Sequence, residues 1–379
     1  MTRLALSAGE TSGDLLAADL ARALRARLGD TELMGVTGRA MRGAGVASLA
    51  TTDELDVMGL FEVLRHVPRL VRLRRRLARE IAAQECTAFI GVDAPDFNIG
   101  LARRLKRGGT LAVQLVAPSV WAWRRYRIPK IARSLDLLLT LFPFEPGLFD
   151  GTGLDVRFVG HPLADALPLE PDRAAARERL DLPASAPVVA LLPGSRPGEL
   201  ARHAGLVAET ARRLRDRRPD AQPVVLLADP AHESLLASAV PAYEPLRVVC
   251  GRTREGLAAA DVALAASGTV TLEALLSKTP MVVFYRLDAA TYGLARTLRL
   301  VRSRWVSLPN VLAGEELVPE RLQAEAEPGR LVDDLCAWLD DDARRERFER
   351  RARSLHDGLA NGAAETAASV VAERLDARV

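Results

Sequence analysis

The sequence predicts an α/β protein of two Rossmann-like, doubly wound domains, residues 1–165 and 166–340, with a helical segment, 341–379, that crosses back onto the first. Three observations lead there. A chain of 379 residues is too long for one ordinary domain and sufficient for two, each with its own core. Short apolar runs alternate with amphipathic stretches in both halves, the pattern of βαβ units and parallel sheets. The proline-rich stretch from Pro162 to Pro171 separates the two sets and reads as the linker.

In the first half, strands are expected at residues 4–7, 89–92, 111–116, 137–141 and 156–159, and in the second at 188–192, 224–227, 248–249, 262–265 and 281–285. Helices intervene. Leu16, Leu20, Leu24 and Leu28 share one face of the first, and Leu206, Ala211 and Leu214 line one in the second half. The segment from Asp340 onward is charged and helical. A parallel sheet collects its ligand beyond the carboxyl ends of its strands, so chemistry is sought just after each one.

Composition narrows the classes. With 49% hydrophobic and 27% charged residues, the whole chain is expected to fold. A net charge of +3 does not point to nucleic acid, although Arg65, Arg69, Arg72, Arg74, Arg75, Arg76 and Arg79 are clustered. Cys86, Cys250 and Cys336 lie far apart with no CxxC and no nearby histidine, so neither a disulfide framework nor a zinc site is indicated, and a reducing compartment fits. No signal-peptide pattern precedes Leu4, and no apolar run is long enough to cross a bilayer.

After the first strand comes Gly9-Glu10-Thr11-Ser12-Gly13-Asp14, a glycine-bracketed turn opening a helix, where free amides favour an anion or a sugar oxygen. Its plainer reading is a turn capped by Ser12 or Asp14. Asp93 and Asp96 stand at the next strand's carboxyl end. Asp93 is the better aimed as general base for a sugar hydroxyl, while Asp96 and Asn98 suit an Asx turn. Trp121 and Trp123 either fill core or stack a sugar, and His161 is a further strand-end candidate.

In the second half, Pro193-Gly194-Ser195-Arg196 follows a strand, with Arg196 placed to grip a pyrophosphate. Ser267-Gly268-Thr269 opens a helix that carries Glu273 one turn on. Amides there suit a pyrophosphate and the carboxylate suits ribose hydroxyls. Two such turns and a ribose-ready glutamate point to a nucleotide site. GxxxxGK[ST] and GxGxxG are absent, which disfavours an NTPase and a dinucleotide oxidoreductase. No Asp-x-Asp pair stands where a transferase would hold a metal, so neither a metal nor any other cofactor is expected.

These strings together resemble the lipid-A-disaccharide synthases: AGETSGDLLAADL from Ala8, DVMGLFEVL from Asp56, GVDAPDFNIGLA from Gly91, APSVWAWR from Ala117, PFE from Pro143, FVGHPLAD from Phe158, LLPGSR from Leu191, ASGTVTLEALLSKTPMVVFYR from Ala266 and VSLPNVLAGEELVPERLQ from Val306. They run in order over roughly residues 4 to 323. The resemblance implies two facing domains of the glycosyltransferase-B type, with acceptor bound by the first and UDP-sugar by the second. It implies an inverting, metal-independent condensation of UDP-2,3-diacylglucosamine with 2,3-diacylglucosamine 1-phosphate, giving the β-1,6-linked disaccharide 1-phosphate and UDP. Carried over by motif, Asp93 and Glu10 become catalytic and Ser12 an acceptor-side residue. Arg196, Ser267, Gly268, Thr269, Glu273, Asn310 and Gln323 become donor-side residues. Ala117, Arg39 and Pro197 depart from the family's usual residues and bear on fine acceptor specificity.

Lipid substrates give the arginine cluster a use. Val57, Met58, Leu60, Phe61, Val63 and Leu64 beside it would let the protein lie on anionic lipid at the cytoplasmic face of the inner membrane. The alternative is a buried helix with a solvated arginine face. A homodimer is left open. Another UDP-sugar transferase or a sugar-nucleotide 2-epimerase would use the same scaffold, and a non-catalytic sugar-nucleotide-binding module would keep the second-half site without needing Asp93.

Overall fold

The computed structural model describes residues 2–55, 60–121, 125–239, 246–287 and 304–378. The chain divides into two compact units, Met1–Asp165 with Leu359–Val379, and Ala166–Gly358.

In the first unit β1 (Thr2–Ala8), β2 (Thr31–Thr37), β3 (Ala47–Thr51), β4 (Ala88–Val92), β5 (Leu111–Leu115), β6 (Leu137–Thr140) and β7 (Asp155–Phe158) form one parallel sheet in the order β3-β2-β1-β4-β5-β6-β7. Its helices are α1 (Thr11–Leu28), α2 (Arg39–Gly43), α3 (Leu60–Ala83), α4 (Pro95–Lys106) and α5 (Ile128–Ser134), and α6 (Pro162–Ala166) leads out of it. Alternation along each strand feeds two cores. Leu4, Leu6, Ile90, Val113 and Leu139 pack with Leu16, Leu20 and Leu24 of α1, whereas Ala5, Phe89, Ala112 and Leu138 face Leu73, Leu77 and Ile81 of α3. The spacing Leu73-Leu77-Ile81 is one helical stripe, so Arg75, Arg76 and Arg79 between them turn outward.

The second unit repeats the plan. Its helices begin with α7 (Arg173–Arg179), α8 (Pro197–Arg217), α9 (His232–Ala239), α10 (Thr253–Ala259) and α11 (Thr269–Leu276). Strands β8 (Val188–Leu192), β9 (Gln222–Leu227), β10 (Arg247–Cys250), β11 (Val262–Ala266), β12 (Met281–Tyr285) and β13 (Glu320–Leu322) pair in parallel as β10-β9-β8-β11-β12-β13. Then come α12 (Leu308–Ala313), α13 (Pro328–Leu339), α14 (Asp342–Leu359) and α15 (Ala363–Asp376).

Strands β2, β3 and β13 were not among those expected from the apolar runs. Glu32 and Gly35 interrupt β2, and β3 and β13 are short, only partly buried edge strands. The C-terminal segment also differs from a single element returning at 341. It is two helices, and α14 belongs to the second unit, where Phe348 meets Trp338 edge-on with ring centroids 5.7 Å apart and Arg353 pairs with Glu170 at 2.8 Å. Only α15 packs on α1, burying Ala367, Ala368 and Val371 in the first unit's core. Asp165 caps its start, accepting from the Gly362 and Ala363 amides at 2.9 and 2.6 Å, and the His161 amide donates to the Leu359 carbonyl at 2.8 Å. The Gly160-His161-Pro162 motif is thus where the two chain crossings are fastened.

Candidate functional site

In the second unit, the carboxyl ends of β8, β9 and β11 enclose a cavity of about 240 Å³. Arg196, Ser267, Gly268, Thr269 and Glu273 line it together, with Glu199 and Thr253 besides. Gly194, at φ +123°, turns the chain out of β8, and Pro197 then occupies the first position of α8, where a missing amide hydrogen costs nothing. Arg196 is four-fifths exposed and, among the described residues, held only by Glu199 at 3.3 Å, so its guanidinium is placed to turn onto a ligand. Helix α11 buries Thr271, Leu272 and Leu275, which turns Thr269 and Glu273, four residues apart, toward the cavity. The Glu273 carboxylate lies 3.4 Å from Arg254.

Glu199 also accepts from the Tyr285 hydroxyl at 3.2 Å, and burial, followed by that carboxylate, raises the Tyr285 pKa. His203 fixes α8 against the sheet: Nδ1 lies 2.8 Å from the Pro193 carbonyl and Nε2 3.2 Å from that of Arg286.

Asn310 and Gln323 do not line this cavity. Asn310 is fully buried, and its amide is consumed within its own loop: Nδ2 donates to the Val318 carbonyl and to Glu320, and Oδ1 accepts from the Leu317 and Val318 amides, all at 2.8–2.9 Å. In this arrangement the Asn310 side chain braces the chain around Glu320 and does not face the cavity. Glu320, which no sequence pattern singles out, gathers the amides of Val306 and Ser307 at 3.0 and 2.9 Å, and the Val306 carbonyl accepts from Ser267 Oγ at 3.1 Å. Gln323 stands at φ +53° just past β13.

In the first unit, β1 and β4 are neighbours in register, Ala8 beside Val92, so the Gly9 turn and Asp93 lie side by side. A side chain at Gly9 would come within 2.2 Å of Ala94 Cβ, which is why the turn begins with glycine. Glu10 and Ser12 are exposed. The helix N-cap is Glu10, neither Ser12 nor Asp14. Asp14 instead accepts from the Gly38, Ala40 and Met41 amides at 2.7–3.1 Å and so caps α2.

Asp93, Ala94 and Val116 have φ of +53°, +41° and +74°. For side-chain-bearing residues, and above all for a β-branched one, this is strained backbone. Two buried amides hold it. Asn98 Nδ2 and Gln114 Nε2 both donate to the Asp93 carbonyl at 2.9 Å, and Gln114 reaches the Leu115 and Val116 carbonyls as well. Asn98 is therefore a buried brace, and Asp96 pairs with Arg127. Burial raises the Asp93 pKa, opposed by a hydrogen bond from the Ala94 amide. A glutamine inside the apolar strand Leu-Ala-Val-Gln-Leu is the signal that could have flagged Gln114 beforehand.

Beside this loop, Phe142 stacks on Phe144 at 5.7 Å and meets His161 at 5.3 Å, and Trp121 meets Phe144 edge-on. Trp123 lies outside the described residues. His161 is buried, accepts from the Leu163 amide at Nδ1, and has its pKa pulled down by burial to about 4, so it is neutral. Glu145 is likewise buried, with its pKa pushed up to about 7. The apolar segment at 57–59 lies outside the described residues, and for 60–66 the helical backbone alone is described. Among the described residues, no helix is long and apolar enough to cross a membrane and no three His, Cys, Asp or Glu side chains converge as a metal site would need.

Comparison with known proteins adds the rest. Among solved structures, the chain is similar in fold to the UDP-GlcNAc 2-epimerase of Neisseria meningitidis bound to UDP-GlcNAc, with TM-score 0.64, 10% identity and 99% of both chains covered. Sucrose-phosphate synthase of Thermosynechococcus elongatus gives TM-score 0.61 at 16% identity with 100% of both chains covered. These likenesses establish a glycosyltransferase-B fold. In sequence, the chain is 46% identical to lipid-A-disaccharide synthase of Pseudomonas aeruginosa (strain UCBPP-PA14), over 99% of each chain, and 48% identical to that of Alkalilimnicola ehrlichii, over 97% of each. The family model described as lipid-A-disaccharide synthetase matches residues 4–373. From motif, fold and near-complete match together, the chain belongs to the lipid-A-disaccharide synthase family of glycosyltransferases.

Proposed function

We propose that this enzyme transfers the diacylglucosamine of UDP-2,3-diacylglucosamine to 2,3-diacylglucosamine 1-phosphate, with inversion and without a metal. The observation that carries the reading is the second-unit cavity, where an exposed guanidinium, a helix start and a carboxylate one turn along it meet in the space a nucleoside diphosphate needs. The pyrophosphate is gripped by Arg196 and the amides of Gly268 and Thr269, and the ribose by Glu273. Asn310 serves indirectly, through Glu320 and the Val306 segment to which Ser267 is bonded. Gln323 remains on the donor side.

In the chemical step, the acceptor's primary hydroxyl oxygen bonds to the donor's anomeric carbon as the bond from that carbon to UDP breaks. The hydroxyl proton passes to Asp93, and UDP leaves with its charge countered by Arg196 and the helix-start amides. Partial burial suits Asp93 to the task, because a carboxylate of raised pKa is the stronger base. Glu10 and Ser12 bind the acceptor. The protein works on the cytoplasmic face of the inner membrane, in peripheral contact with anionic lipid through the start of α3.

The test is UDP release from the acylated donor in the presence and absence of the lipid acceptor, with and without EDTA. Release should require the acceptor and survive the chelator. Release without acceptor, or loss in EDTA restored by magnesium, would overturn the transfer or its metal independence respectively.

A further inference from the structure

Away from the strand-end sites, a concavity of about 400 Å³ opens between α3, α4 and α5 of the first unit. Arg74, Arg103, Arg104, Arg107, Arg127 and Lys130 line it, against one carboxylate, Asp96. An adjoining cavity of about 420 Å³ shares Arg103, Arg107 and Lys130 and adds Lys106 and Arg133. Asp96 is already taken by Arg127, and Lys106 by Asp136 at 3.1 Å. Arg103, Arg104, Arg107 and Lys130 have no carboxylate partner among the described residues.

Arg74 is the most telling member. It lies 5.1 Å over the Phe97 ring and donates from Nη2 to the Asp96 carbonyl at 3.0 Å, yet its Nε is buried with no hydrogen-bond partner. Burial, and then the charge of Arg104, lowers its pKa, so the fold holds this cation where its charge is disfavoured. Gly100 makes the room: a Cβ there would stand 2.5 Å from Arg74 Nη1. Glycine inside a helix is less favourable than alanine, so the space is kept at the helix's expense.

Two ordinary explanations fall short. Cations in a helix's last turn offset its dipole, which accounts for Arg103, Arg104 and Lys106 of α4. It does not account for Arg74, Arg127 and Lys130, which arrive from other elements. A solvated arginine face, for its part, spreads its charges outward, whereas these converge and repel one another.

We propose that this concavity binds a phosphate monoester, a dianion whose oxygens satisfy several guanidinium forks at once and supply the missing counter-charge. The site is separate from the cavity at Ser267 to Thr269 and does not depend on the transferase reading. Inorganic phosphate and a lipid with a monoester headgroup offer the same chemistry, and the experiment separates them.

Two measurements on the full chain test this. The first is the melting temperature in inorganic phosphate against sodium chloride at equal ionic strength. The second is sedimentation with phosphatidylcholine vesicles carrying phosphatidic acid, a monoester, or phosphatidylglycerol, a diester, at matched surface charge. Wild type should be stabilised by phosphate. Arg104→Gln combined with Lys130→Gln should weaken monoester binding by on the order of tenfold or more while leaving UDP affinity unchanged. Arg196→Gln should retain the effect. Gly100→Ala should weaken it too, by displacing Arg74 without removing a charge. Preference for phosphatidic acid over phosphatidylglycerol identifies a lipid-borne ligand, and stabilisation by free phosphate without that preference identifies a soluble one. Equal binding to both vesicles with no phosphate effect, or a double variant indistinguishable from wild type, overturns the proposal.

Discussion

Counted from its own first strand, each unit orders its first six strands 3-2-1-4-5-6, with a seventh strand added at the edge of the first, and each gathers candidate residues beyond strands one and four, β1 and β4 in the first and β8 and β11 in the second. These are the strands where the winding reverses, the natural crevice of a doubly wound sheet. What the two crevices are made of differs. The second opens into a cavity lined by an exposed arginine and a helix start, with a glycine taking the positive φ of its first turn. The first spends its positive φ values on Asp93, Ala94 and Val116 and braces them with Asn98 and Gln114. One architecture thus yields a surface suited to holding an anion and a frame suited to fixing one reactive group. Strain is tolerable where a single atom must be aimed, and needless where a flexible side chain closes on its ligand.

Substitutions can break or sharpen that contrast. Asp93→Asn should lower turnover by roughly 10²- to 10⁴-fold, the range for a lost general base, with UDP affinity unchanged by calorimetry. Wild-type turnover at saturating substrate would remove the distinction between the crevices, and His161 or Glu10 would be tested next.

Glu145→Gln probes the buried corner of the first unit through pH. Glu145 has its pKa raised from 4.5 to about 7, so between those values the folded chain holds a proton that the unfolded chain has lost, and stability falls as pH rises through the window. The substitution should therefore stabilise the protein at pH 8 by at most about 3 kcal/mol and have little effect below pH 4.5, read as melting temperatures at the two pH values. His161 acts in the opposite sense. Its pKa is lowered from 6.5 to about 4, so stability is lost as pH falls through that range.

The smallest effect is expected in the second unit. Glu273→Ala should weaken UDP binding by about tenfold, the value of one charge-assisted hydrogen-bonded contact, and leave the melting temperature nearly unchanged because Glu273 faces a cavity. Unaltered UDP affinity would remove Glu273 from the ribose.

The contrast was partly legible in the sequence. Arg196, Ser267 to Thr269 and Asp93 follow apolar strands directly, so strand-end reasoning finds them. The bracing by Asn310 and Glu320 was not legible, because their pairing joins α12 to the start of β13 through side chains and leaves no periodic trace. Strands β3 and β13 hid because edge strands need little apolar surface. The arginine run of α3 was visible, but its outward face and the single inward member, Arg74, depend on the Leu73-Leu77-Ile81 stripe and on Lys130, 56 residues later. Convergence across helices is a tertiary fact.

The return of α15 onto α1 has a consequence for synthesis on the ribosome. Ala367, Ala368 and Val371 belong to the same core as Leu4 and Leu20, so the unit made first cannot close its core until α15 has emerged. At translation speeds of roughly 5–20 residues per second, the second unit occupies the ribosome for about 10–40 s in between. The second unit, contiguous in sequence, can complete itself first, while the α1 face of the older sheet waits exposed. For those seconds the nascent chain carries an uncovered apolar stripe, and loss of α15 would leave it uncovered for good.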